Sequence, residues 1–371
     1  MRLSMLRALY DRPGPWASVY FDASHHTEDA AKITELRWRA ARESLTGEGC
    51  DPETLTALEQ AVGELPARPG PHGVAFFATD GEVVLRRDLD APPRTEIATY
   101  GPLPHVMPLV AQLGEEIPYL RVVVDHTGGA IDEVGLGNLV RRHEIEGTED
   151  YPVHKVPVGG WSALKAEHNY DLTWRRNAGD VAEAVTELAD RTDPQFIVVA
   201  GDPKSRPMLV AQLPERWRSR VIETDAGSRG AGADPSALED VTVQAVAEQA
   251  VAHQQSILDR FRTQLGQDGA AGNGLHAVVT ALQRGQVDTV LMIDDPSSTE
   301  RLWIGPEPYL LADDPAFLRD SGVSDPQQVR ADAAIVRALA GTDAAIVLVD
   351  PDETGLDGGV AALLRYADAR R

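Results

Sequence analysis

Apolar residues along the chain gather into short blocks separated by charged and glycine-rich stretches. Ala17–Phe21 (ASVYF) and Gly73–Ala78 (GVAFFA) are unbroken runs of the length of buried strands. Between them, Glu28–Leu45 alternates charges with small apolar residues, the pattern of an amphipathic helix. Glu82–Arg87 is expected to pair with the second strand across Thr79-Asp80-Gly81, because Asp-Gly supplies the positive φ angles of a tight hairpin. A second hairpin is predicted from Leu120–Val124 (within YLRVVV, which starts at Tyr119), a turn at His126–Gly129 and Ala130–Val134. An extended Tyr151–Val158 leads to Gly159-Gly160-Trp161 and then to a long helical pattern. Leu164, His168 and Leu172 lie four apart, and Val181, Val185 and Leu188 continue the stripe beyond Ala178-Gly179. Phe196–Ala200 (FIVVA) is a buried strand ending at Gly201, followed by a helix around Met208–Leu213 and a strand at Val221–Ile222. The remainder predicts helices at Val241–Leu265, Leu275–Arg284 and Val329–Leu339. It also predicts core strands at Val287–Ile293 and Ala344–Val349, and a closing helix at Gly359–Tyr366. Strand–helix alternation of this kind is an α/β fold.

Length and loop chemistry divide that pattern. At about 150 residues per domain, 371 residues imply two or three domains. Pro102–Pro108 and the small polar stretch Asp225–Pro235 (DAGSRGAGADP) mark two seams. The expected division is residues 1–116, an N-terminal α/β domain; 117–236, an α/β domain carrying the Gly-Gly-Trp segment; and 237–371, an α/β/α sandwich.

Charge and composition then narrow the function classes. With 58 acidic against 35 basic residues the net charge is −23, which opposes a chain that coats nucleic acid with its whole surface. A local basic site is not opposed. The single cysteine, Cys50, excludes a disulfide framework and a cysteine zinc site. The ten histidines (His25, His26, His72, His105, His126, His143, His154, His168, His253 and His276) are scattered without HExxH spacing, so no metal and no cofactor is expected. GxSxG and GxxxxGK[ST] are absent from the sequence. The N-terminal segment carries no secretory pattern and no apolar run is long enough to span a bilayer, so a soluble, cytoplasmic protein is expected. Carboxylates at the ends of predicted strands (Asp125, Asp294, Asp295, Asp350, Asp352) suit either a divalent ion or the capping of turns.

One segment stands apart from the acidic background. From His154 to Asn177 the chain holds Lys155, Lys165, Arg175 and Arg176 against Glu167 and Asp171, a net +2 that leaves −25 elsewhere. A positive projection on a negative body steers toward phosphate. Gly159-Gly160 frees the backbone for close approach or unusual angles, and Trp161 suits either stacking on a base or filling the core behind a Gly-Gly turn.

Val158–Asn169 (VGGWSALKAEHN) resembles the GGQ loop and following helix of the archaeo-eukaryotic class-1 peptide release factors, in their bacterial branch. The preceding YLRVVVDHTGGAIDEVG and the later FIVVAGD are similar to the middle domain of those factors. GLHAVVTALQRGQVDTVLMIDD resembles the start of their C-terminal domain. The likeness spans about residues 118–371 and is nearest to an actinobacterial, Balon-related group of ribosome hibernation factors, with Pelota more distant. The chain departs from the family at Trp161, which stands where hydrolytic factors carry glutamine. Indole has one N–H donor and no acceptor, so a plug of the peptidyl-transferase centre is implied more readily than a catalyst. Ser162 reads as a helix cap, without a paired base.

The resemblance implies a non-hydrolytic factor in the ribosomal A site, with Gly159, Gly160 and Trp161 at the catalytic centre. Lys155, Lys165, His168, Arg175 and Arg176 would then meet ribosomal RNA phosphates. It also implies delivery beside elongation factor Tu, for which the acidic Glu307, Asp313, Asp314 and Asp320 suit a protein contact. The alternatives are a peptidyl-tRNA hydrolase that rescues stalled ribosomes and an α/β scaffold that merely kept the fold.

Overall fold

A computed structural model describes residues 1–24, 30–66, 68, 70–114, 117–135, 140–147, 161–227, 236–267, 269–352 and 355–366. The N-terminal part holds α1 (Arg7–Tyr10), β1 (Trp16–Asp22), α2 (Ala30–Gly47), α3 (Pro52–Gly63), β2 (Gly73–Thr79), β3 (Glu82–Leu89), β4 (Ile97–Gly101) and α4 (Met107–Leu113). The strands form an antiparallel sheet in the order β3-β2-β1-β4. The Asp-Gly hairpin forms as expected, with Asp80 at φ 50° and Gly81 at φ 74°. β2 is buried along its whole length, which explains its unbroken apolar run. α3 starts on Asp51, whose side chain accepts from the Thr54 amide at 2.8 Å.

The middle part holds β5 (Tyr119–Asp125), β6 (Gly128–Val134), β7 (Val140–Glu146), α5 (Trp161–Thr192), β8 (Phe196–Gly201), α6 (Ser205–Gln212), α7 (Glu215–Arg218), β9 (Val221–Glu223) and α8 (Ser236–Gly266). Its sheet runs β7-β6-β5-β8-β9, antiparallel from β7 to β5 and parallel from β5 to β9. α5 continues straight through Ala178-Gly179. Its stripe of Ala178, Val181, Ala182, Val185, Leu188 and Ala189 packs on Leu120, Val122, Ile197 and Val199. On the opposite face of the sheet, Leu238, Ala245 and Val246 of α8 join Phe196 and Val198.

The last part holds β10 (Ala271–Asn273), α9 (Leu275–Gln283), β11 (Val287–Ile293), β12 (Arg301–Ile304), β13 (Leu311–Ala312), α10 (Pro315–Asp320), β14 (Gln327–Arg330), α11 (Ala331–Thr342), β15 (Ala345–Val349) and β16 (Val360–Leu364). One sheet runs β10-β16-β11-β15, and a small one β13-β12-β14. Two expectations are corrected here. Gly359–Tyr366 is not a helix: Val360–Leu364 is an inner strand between β10 and β11, with Val360–Leu363 buried. Val329 and Arg330, expected to open a helix, end β14, and α11 begins at Ala331. In both places tertiary pairing overrides local propensity.

The chain clusters into two compact units, Met1–Glu115 with Ser256–Arg371, and Glu116–Gln255. The division drawn from the seams in the sequence does not coincide with this clustering, since residues 237–255, expected in the third domain, fall in the second unit. In the first unit, Leu3, Leu6, Leu9, Val106 and Leu109 share one core with Val278, Ile335, Ala338 and Leu339.

Candidate nucleic-acid interface

The site is built where the parallel pair β5 and β8 ends, the edge at which α/β sheets present their loops. After β5 the chain turns tightly through His126-Thr127. Asp125 accepts from the Thr127 amide at 2.7 Å and from its hydroxyl at 2.6 Å, so this carboxylate holds its own turn. After β8, Gly201 takes φ 111°, and a Cβ there would stand 2.0 Å from the Val124 carbonyl oxygen. Only glycine fits so close a strand crossing. Asp202 then caps α6, accepting from the Ser205 amide at 2.9 Å and the Lys204 amide at 3.0 Å. Burial pushes its pKa up, but the Ser205 and Lys204 hydrogen bonds outweigh burial and hold the carboxyl below its ordinary value.

α5 crosses this edge. Asn177 donates from Nδ2 to the His126 carbonyl at 2.9 Å, and Gln212 Nε2 donates to the Arg175 carbonyl at 3.0 Å. The Trp174 ring lies 5.8 Å from the His126 ring and 5.3 Å from Lys204 Nζ, a cation–π distance. Arg175 and Arg176 are exposed just beyond. His126, Trp174 and Lys204 come from three separate segments, so no local pattern in the sequence announced them.

Gly159, Gly160 and Lys155 lie outside the described residues, as does the predicted extended Tyr151–Val158. Trp161, Lys165 and His168 lie in α5, where the backbone is described and their side chains are not. Helical geometry nevertheless groups them. At about 100° per residue, positions Trp161, Lys165, His168, Arg175 and Arg176 fall within an arc of about 100°, centred about 130° from the stripe Ala178–Ala189 that meets the sheet. Leu172, in the same arc, is 42% exposed. Of the expected stripe of Leu164, His168 and Leu172, only the Leu172 side chain is among those described, and it is exposed; the described core stripe starts at Ala178.

The remaining chemistry is structural. Asp295 accepts from the Ser297 amide and hydroxyl, and Asp350 from the Asp352 amide, each closing its own turn. No group of three metal-ligating side chains occurs among the described residues. Burial pushes the Cys50 thiol up to about 11, away from nucleophilic use.

The model of bacterial archaeo-eukaryotic release factor family 2 matches residues 118–267. Two curated proteins of Mycobacterium tuberculosis, uncharacterized protein MT2704 (strain CDC 1551 / Oshkosh) and uncharacterized protein Rv2629 (strain ATCC 25618 / H37Rv), are each 33% identical over 373 residues. Those matches cover 100% of this chain and 98% of theirs. The chain belongs to the bacterial archaeo-eukaryotic release factor family. Similar solved structures include the archaeal translation termination factor aRF1, at 15% identity and a TM-score of 0.26 over 98% of this chain and 96% of that one. The Pelota of Archaeoglobus fulgidus matches at 14% identity and a TM-score of 0.34 over 80% of each chain. Membership in the release factor family ties this chain to translation, and no described helix is long and apolar enough to cross a membrane.

Proposed function

We propose that this release factor family member binds the ribosome as a hibernation factor. It occupies the A site and directs Gly159, Gly160 and Trp161 toward the peptidyl-transferase centre, blocking translation without hydrolysis. The observation that carries this reading is the face of α5. Trp161, Lys165, His168, Arg175 and Arg176 line up along a helix whose opposite side is fastened to the sheet from Ala178 onward. Trp161 is 13 residues ahead of the first named ring contact, at Trp174, or about 20 Å along the helix axis. That length suits a tip reaching into an RNA-walled cavity while Lys155, Lys165, His168, Arg175 and Arg176 follow phosphates.

Trp161 in place of glutamine supports a plug. Its indole accepts no hydrogen bond from a water and fills the volume that water needs. Residues 1–116 would lie toward the decoding region. Delivery by elongation factor Tu would use acidic residues of the last part of the chain, Glu307, Asp313, Asp314 and Asp320 among them.

Cosedimentation with vacant ribosomes tests the reading. The full chain is expected to pellet with them, with affinity falling as salt rises because phosphate contacts release counterions. Trp161→Ala combined with Lys165→Glu should weaken binding by about tenfold or more, and unchanged pelleting of that double variant would reject the assigned tip. In the same complexes, release of labelled peptide that disappears in Gly160→Ala would establish the hydrolase reading instead.

A further inference from the structure

The first unit holds a cavity of about 410 Å³ between the N-terminal segment and the loop after β12. Arg337 of α11 lines it and is itself only 7% exposed. Its Nη1 donates to the Gly305 carbonyl at 2.9 Å and its Nη2 to the Pro306 carbonyl. A guanidinium has five N–H donors, so three are left without a partner among the described residues.

No described carboxylate lies within ion-pair distance of this charge, and Glu307 favours it only from farther off. Asp332, on the same helix, is taken by Arg330 at 2.7 Å, and no described acid forms an ion pair with Arg337. Burial accordingly pulls the Arg337 pKa below its ordinary value. An unpaired buried ion costs several kcal/mol, roughly, and two carbonyl dipoles offset only part of that. The rest of the lining sorts by chemistry. Trp16, Ile304 and the half-buried Leu103 form an apolar wall, while the exposed Asp11 and Asp325 stand at the rim. Arg12, also at the rim, is committed to Glu82 at 2.6 Å.

We propose that this cavity binds a small organic monocarboxylate, its carboxyl group on the free Arg337 donors and its hydrocarbon body against Trp16, Leu103 and Ile304. The planar fork of arginine matches a carboxylate bidentately. The two rim acids repel dianions and polyanions, which separates this site from any RNA surface. A volume of this size is at the small end of ligand pockets and holds a short aliphatic or aromatic acid.

Isothermal titration calorimetry of the full chain at fixed ionic strength tests the site, with hexanoate, acetate, inorganic phosphate and chloride as probes. Hexanoate should bind saturably and about tenfold or more tighter than acetate, because its added methylenes reach the apolar wall. Arg337→Lys keeps the charge and loses the fork, and should weaken hexanoate about tenfold. Leu103→Trp fills the cavity without touching Arg337 and should abolish the binding. Absence of saturable hexanoate binding overturns the proposal, as does phosphate binding tighter than hexanoate. Affinity unchanged in both variants overturns it equally.

Discussion

At the residue scale, sequence and structure divide the work of finding chemistry. The Gly159-Gly160-Trp161 segment and its cations, the proposed tip, stand out in the sequence because they are consecutive or helically spaced. His126, Trp174 and Lys204 were not, because only the closing of β5, β8 and α5 brings them together. The same distinction applies to Asp190, one of many carboxylates in the sequence and unremarkable there. In the fold it accepts from Arg216 Nη2 at 2.8 and 2.9 Å and from the Trp217 indole at 2.7 Å. The Arg216 hydrogen bonds, with that of Trp217, hold its carboxyl below the ordinary aspartate range. A lowered folded-state pKa contributes stability that is fully present above the unfolded value, about 4, and is lost as pH falls through the folded one. Asp190→Asn is therefore expected to be less stable than the parent near pH 6, with the gap closing as the pH drops below about 4. Urea melts across that range check it, and a gap that does not depend on pH would refute the assignment.

Elements were readable where burial and local propensity agree. The continuous runs at β2, β8 and β11 are buried strands as expected, and the Asp-Gly turn sets its hairpin. Val360–Leu364 (VAALL) shows the opposite case. Alanine and leucine favour helix, yet the segment is paired on both sides, Ala362 lying opposite Gly272 on β10 and Val290 on β11. Ladder hydrogen bonds and burial outweigh a propensity difference of a few tenths of a kcal/mol per residue. The pairing partners lie about 70 to 90 residues away in sequence, so no local window contains them. A proline at Ala362 removes an inner-strand donor and should cost about 3 kcal/mol or more, read as a lowered denaturant midpoint with an unchanged slope. A variant as stable as the parent would mean the strand pairing is wrong.

At the scale of the whole molecule, the least legible feature is that the two ends of the chain make one core. Pro- and Gly-rich seams suggest separate modules, but Met1 and Ile346 exchange backbone hydrogen bonds at 2.8 Å in both directions, and Arg2 bridges to Ala345. Leu3, Leu6, Leu9, Val106, Leu109 and Val110 then meet Ile335, Ala338 and Leu339 of α11. Each such side chain contributes roughly 1.5–3 kcal/mol when buried, so the six together reach an order of 10 kcal/mol. That is as much as the whole stability of an ordinary domain, about 5–15 kcal/mol. Neither end can lose it and remain folded. Residues 1–115 and 256–371 expressed separately are accordingly expected to show no cooperative unfolding, and to regain it when mixed or coexpressed. Residues 116–255 have their own sheet with a core on each face, and should unfold in one sharp transition alone. Circular dichroism melts of the three fragments decide the matter. A full-amplitude transition from residues 1–115 alone would show that its own sheet suffices, and that the contacts with α11 add far less than their buried area implies.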